Sequence, residues 1–243
     1  MIKKKLLTSI LLIFILITAI GCTPKNQTSE ISSPETVIES VVSIEEETTV
    51  AETSTEPFLS EEITVSDFNE LPDDIKGTII PMDSLLLYHT ETGNTYDAGD
   101  SYMLWRTLQY AFGNFGLNYN RAELKDYALS CEPMVVGEFT TAILDGDYTD
   151  YPIPEKLSDD IKYDSETDTY LFGVGDRGLS QTEILTYQYL EDHTLKVTAR
   201  LYAQDDDSTI CSGTFYFKRN KYASGVIEPL FYFTVTDTEF TMP

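Results

Sequence analysis

Cysteine, tryptophan and histidine are all scarce in this chain of 243 residues, which holds three, one and two of them respectively. Each shortage removes a class of chemistry. His89 and His193 with Cys22, Cys131 and Cys211 form no C-x-x-C or H-x-x-x-H pair, so no zinc site is expected. There is no G-x-S-x-G and no cysteine beside a base, which leaves nucleophilic hydrolysis without a motif. A lone Trp105 supplies little of the aromatic lining that a polysaccharide-cleaving cleft uses. Positive charge is short as well: 16 Lys and Arg face 41 Asp and Glu, a formal charge of −25. A polyanion without a basic stripe repels phosphate backbones, and nucleic acid is not an expected partner.

What is present begins at residue 3. Lys3, Lys4 and Lys5 precede an apolar run from Ile10 to Ile17, and the segment closes on Ala19-Ile20-Gly21-Cys22. It is too short and wrongly flanked for a comfortable membrane span, whereas a basic start, an apolar middle and a small residue before the cut describe a secretory signal over residues 1–21. Ala19 to Cys22 resembles the lipobox of bacterial lipoproteins, with Ala19 standing where Leu is commoner. The resemblance covers about a tenth of the chain. It implies lipidation of Cys22, a diacylglyceryl anchor and an extracytoplasmic location. Two acyl chains hold stably where one is marginal. Removal of the signal takes three lysines with it and moves the formal charge to −28, so attachment to an anionic membrane is expected to rest on the lipid alone.

Residues 22–66 are rich in Ser, Thr and Glu, with ten acidic residues against Lys25 alone. Such a segment buries too little apolar surface to offset the entropy of ordering, and it is expected to be a disordered tether with a reach of roughly 35–40 Å. From Asp67 the composition changes, and all sixteen tyrosines lie at Tyr88 or beyond. Residues 67–243 suffice for one domain with its own core.

The first half of that domain reads as helix. Asp100 can cap a helix carrying Leu104, Trp105, Leu108, Ala111, Phe112 and Phe115 on one stripe, with Gly116 placed to end it. A second helix is expected from Asn120, where Glu123 completes a capping-box pattern and Leu124, Tyr127, Ala128 and Cys131 share a side before Pro133. Met134 to Leu144 fits a third. The second half reads as strands. Leu195, Val197, Ala199 and Leu201 alternate with Lys196, Thr198, Arg200 and Tyr202, and further runs cover Tyr170–Val174, Glu183–Leu190, Ile210–Arg219 and Leu230–Thr236. The expected fold is α+β, with N-terminal helices packed on a twisted antiparallel meander. That order is similar to cystatin-like cone folds, including the nuclear transport factor 2-like superfamily; the resemblance is one of pattern, and no motif residue carries it.

Several patterns bear on function. Gly173-Val174-Gly175-Asp176-Arg177-Gly178 matches G-x-G-x-x-G, yet Thr186-Tyr187-Gln188-Tyr189 downstream suits a strand, so a glycine-rich hairpin connection is expected and no cofactor. Asp145, Asp147 and Asp150, then Asp164, Glu166 and Asp168, then Asp205 to Asp207 form acidic clusters that read as turns, with no metal expected. Cys131 and Cys211 permit one disulfide in an exported chain, and each also lies on an apolar face where a free thiol behaves as a small buried hydrophobe. Basic residues concentrate late. Strand parity places Lys196, Arg200 and Tyr202 on one face, and if the next strand pairs in register Tyr216 and Lys218 join them. The reading this supports is an envelope lipoprotein that binds a glycan or protein without catalysis; the rival is a small-ligand or catalytic pocket between helices and sheet.

Overall fold

The structure is a computed structural model and describes residues 61–118, 122–125, 127–175, 178–224 and 229–243. The signal segment, Cys22, Asn120 and most of the tether lie outside the described residues. Helices and antiparallel strands make up an α+β fold, as the residue patterns require. In chain order the elements are β1 (Ile63–Thr64), α1 (Asp73–Lys76), α2 (Ile79–Thr92), α3 (Ser101–Phe115), β2 (Ala122–Lys125), β3 (Ala128–Cys131), α4 (Pro133–Ile143), β4 (Ile161–Asp164), β5 (Thr169–Gly173), β6 (Ser180–Tyr189), β7 (Leu195–Ala203), β8 (Thr209–Arg219) and β9 (Phe233–Thr241). They form a five-stranded sheet in the order β1-β6-β7-β8-β9 and a four-stranded sheet in the order β2-β3-β5-β4.

The helices fill the space between the sheets. Asp100 caps α3, its carboxylate accepting from the Tyr102 amide at 2.8 Å, and the stripe through Leu104, Trp105, Leu108 and Phe112 is buried. Phe112 reaches Phe139 of α4 and Phe172 of β5, each at 4.5 Å between ring centres. A Cβ on Gly116 would collide with the Leu129 side chain, so the helix ends where glycine lets β3 approach. The other side of the layer is α2, which lies across β6 to β9 and is buried almost all round. Its Met82, Leu85, Leu86 and Tyr88 are fully buried, as are Val197, Ala199, Phe215 and Phe217 on the inner face of the sheet. A helix apolar on every side is a core helix.

Four expectations need correction. The helix expected from Asn120 to Cys131 is instead the hairpin of β2 and β3, in which Ala122 pairs with Cys131 and Leu124 with Leu129. Leu129 and Cys131 are buried two residues apart, the strand period, while Leu124 and Tyr127 point to solvent. β5 belongs to this second sheet and not to the meander. The last strand begins at Phe233 and continues to Thr241, later than the Leu230–Thr236 run suggests. Finally, the fold takes in the end of the tether: β1 pairs with β6, and the Val65 amide donates to the Leu185 carbonyl at 2.9 Å.

Candidate functional site

Pairing of β7 with β8 sets Lys196 opposite Tyr216, Thr198 opposite Thr214 and Arg200 opposite Ser212, so the alternation in each strand brings the expected residues onto one outward face. Lys218 sits exposed at the end of that row. The face is not a free cationic patch. Arg200 donates from Nε to Glu183 at 2.8 Å and from a terminal nitrogen to Asp207 at 2.9 Å, and its guanidinium lies 4.8 Å from the centre of the Tyr202 ring. The Glu183 carboxylate raises its pKa. Lys196 Nζ is 3.8 Å from Glu62. Tyr202 donates to Gln181 Oε1 at 3.1 Å, and Tyr216 donates to Glu239 Oε1 at 3.1 Å. Burial, aided by Glu239, pushes the Tyr216 hydroxyl pKa up.

The partners Glu183, Asp207, Glu239, Gln181 and Glu62 were not anticipated. For Glu183 a partial signal exists: the hairpin register about His193 brings its neighbour Ile184 opposite Arg200, and a bulge between Ile184 and Thr186 shifts Glu183 into that place. Glu62 carried no such signal, since it lies far away in sequence within an acidic run.

Other candidate residues serve the fold locally. His89 Nδ1 lies 2.7 Å from the Asn94 carbonyl, and its ring stacks on Phe240 at 4.3 Å, largely buried at the end of α2. His193 adopts φ 62° in the β6–β7 turn. The acidic clusters close turns: Asp147 accepts from the Thr149 amide, Asp164 from that of Glu166 and Asp206 from that of Ser208, at 2.9 to 3.0 Å. The glycine-rich segment leaves β5 at Gly173 and enters β6 at Ser180, so it connects the two sheets and is not a hairpin; Asp176 and Arg177 lie outside the described residues.

Cys131 and Cys211 are buried free thiols, one in each sheet, so the structure holds them as small hydrophobes and not as a disulfide. Burial pushes the Cys131 thiol up to about 12 and raises that of Cys211. A thiolate is the reacting species, and these two are therefore expected to stay unlabelled by a disulfide-exchange reagent in the native chain and to react once it is unfolded in guanidinium. Labelling of either thiol at the native rate of a surface cysteine contradicts their placement.

Two grooves remain. One, of about 540 Å³, lies between α3 and the end of β5, lined by Arg106, Gln109, Tyr110 and Asp160. Arg106 grips Glu91 through Nε and a terminal nitrogen at 2.7 and 2.8 Å, and Tyr110 donates to the same carboxylate at 2.8 Å. Burial works to raise the Glu91 pKa, but the Arg106 and Tyr110 hydrogen bonds outweigh it and leave the carboxyl below its ordinary value. A lowered folded pKa stabilises above the unfolded value, about 4.3, and that contribution is lost as pH falls through the folded value. Glu91→Gln is accordingly expected to cost under about 1 kcal/mol at neutral pH and to make the acid limb of stability shallower, read from urea midpoints between pH 3 and 7. The second groove, of about 400 Å³, follows one edge of the five-stranded sheet and is lined by Val65, Phe68, Ile79, Phe115, Gln181 to Ile184 and Tyr202. No family model, curated protein or solved structure matches this chain.

Proposed function

We propose that the protein is an extracytoplasmic binding module, anchored by lipid on Cys22 and held off the membrane by its acidic tether, that engages an envelope glycan or protein through the outward face of β6 to β9. The observation that carries this reading is the fixed state of that face. Arg200 is clamped by Glu183, Asp207 and the Tyr202 ring, and Tyr202 and Tyr216 are each tied by a hydrogen bond, so large polar contacts are ordered before a partner arrives. Preordering lowers the entropic cost of association, and tyrosine offers area with few rotamers. The rival pocket between helices and sheet has less in its favour, because Met82, Leu85 and Leu86 of α2 occupy the inner face with Val197 and Phe215.

The test follows from the contacts. Arg200→Glu is a poor probe, since it would set three carboxylates together and perturb the fold. Lys196→Glu with Tyr216→Ala alters the centre of the face while sparing that clamp. Retention of the chain on isolated, delipidated cell envelopes is expected to fall at least about tenfold, the melting temperature shifting by no more than roughly 4 °C. Undiminished retention refutes the face. In cell fractionation, Cys22→Ser is expected to move the protein out of the membrane fraction; membrane retention of that variant would refute the anchor.

A further inference from the structure

We propose that the outer edge of β6 accepts an extended peptide as an added strand beside Gln181 to Ile184. β6 runs ten residues, but β1 covers it only at Thr186 and Tyr187, with one more bond from Val65 to Leu185. The chain then turns away: Asp67 accepts from the Asn69 amide at 2.8 Å and starts a single turn at Phe68–Glu70. Along its other side β6 is paired with β7 from Ser180 to Tyr189. Among the described residues, no strand pairs with the outer side of Gln181 to Ile184. Main-chain groups on such an edge are a template for another strand, and natural sheets normally guard them with lysine, proline or a covering element. Here the edge opens into the groove of about 400 Å³.

The groove's two walls match the alternation of a strand. Ile184 is buried, and Ile79 and Phe115 pack against the core on the helix side, with Phe68, 42 % exposed, closing the end nearest β1. On the other side stand Gln181, Glu183 and Tyr202, residues of the outward face. An added strand would lay alternate side chains against the apolar wall and the intervening ones beside Glu183 and Tyr202. Main-chain bonds would supply affinity, and the apolar wall would select its residues. Because the chain carries −25 and Arg200 is already paired, the outward positions favour lysine over glutamate. β1 is antiparallel to β6, so Glu62 lies at the opposite end, its carboxylate against Thr186 and Lys196.

This proposal does not depend on the centre of the outward face, and its test keeps the two apart. The full chain in detergent is titrated by calorimetry with an acetylated seven-residue peptide alternating valine and lysine. Saturable binding below about 1 mM is expected, with the valine–glutamate analogue at least about tenfold weaker. N-methylation of one alternate set of peptide amides should abolish binding and methylation of the other set should be tolerated, because a strand donates to only one neighbour on each side. Phe68→Ala should weaken binding about fivefold at an unchanged melting temperature, and Tyr216→Ala should leave it unaltered. Absence of saturation, equal tolerance of both methylated peptides, or no effect of Phe68→Ala would overturn the proposal. So would sedimentation showing a dimer that the peptide does not dissociate, which would assign the edge to a second copy of the chain.

Discussion

Trp105→Ala is expected to destabilise the domain by about 3–5 kcal/mol, a loss typical of a fully buried large aromatic. The residue is 1 % exposed on α3. Its ring meets Tyr170 at 5.5 Å, Tyr148 edge-on at 6.1 Å and Phe172 at 6.3 Å, and its indole N–H donates to the Tyr151 carbonyl at 2.9 Å. One side chain therefore joins the helical layer to the four-stranded sheet and to the segment leading into it. Truncation removes the ring contacts, leaves a cavity that neighbouring rings on two elements cannot jointly close, and strips the Tyr151 carbonyl of its donor. At about 2–4 °C per kcal/mol for a domain of this size, the melting temperature should fall by roughly 6–20 °C. Trp105→Phe keeps an aromatic ring without the N–H and should cost less, about 1–3 kcal/mol. Circular dichroism is the appropriate signal, because the variant removes the protein's single tryptophan fluorophore. A loss under about 1 kcal/mol for the alanine variant would mean that the second sheet is not docked through this ring.

How much of this arrangement the sequence revealed depended on whether each element has one wet side. α3 was legible because its stripe is interrupted by polar residues and framed by Asp100 and Gly116, and α4 and β7 because their periods are equally clean. α2 escaped notice for the opposite reason. From Ile79 to Leu87 apolar residues occupy every side, so no 3.6-residue period stands out, and only the fold shows that both its faces are covered. β2 and β3 were misread because Leu124, Tyr127, Ala128 and Cys131 fall by accident at helical spacings, while the decisive pairing of Leu129 with Phe172 spans more than forty positions. At the candidate face, parity within β7 and β8 was enough to gather Lys196, Arg200, Tyr202, Tyr216 and Lys218. The partners that hold them were largely hidden, because Glu62 and Glu239 arrive from other strands or their flanks and Glu183 faces Arg200 only through the bulge in β6. The uncovered edge of β6 was also hidden, since it exists only because β1 is two residues long.

Asp83→Ala is expected to cost about 2–4 kcal/mol, although it places a better helix former in a helix. Asp83 is fully buried in α2. Its two oxygens accept from different elements, Oδ2 from Asn114 of α3 at 2.9 Å and Oδ1 from Thr182 of β6 at 2.7 Å. Hydrogen bonds to a charged acceptor are the stronger kind, and removing the fully buried carboxylate leaves these two half-buried donors without it. Alanine's higher helix propensity returns less than 1 kcal/mol. The sign is therefore decided by the orphaned donors. A double-mutant cycle with Thr182→Val isolates the α2–β6 link, and a coupling of about 1–3 kcal/mol is expected from urea denaturation. Thr182 lies on the stretch of β6 that borders the groove, so the same link bears on binding. With Asp83 gone, that stretch keeps its pairing with β7 and the packing of Ile184 but loses its polar tie to α2, and a peptide would have to order the edge before pairing with it. The alternating valine–lysine peptide should then bind Asp83→Ala more weakly than the parent, by about fivefold, at a temperature where both are folded. Full stability loss with unchanged peptide affinity would confine Asp83 to holding the core together, whereas a cost under about 1 kcal/mol would show that the carboxylate does not carry the link at all.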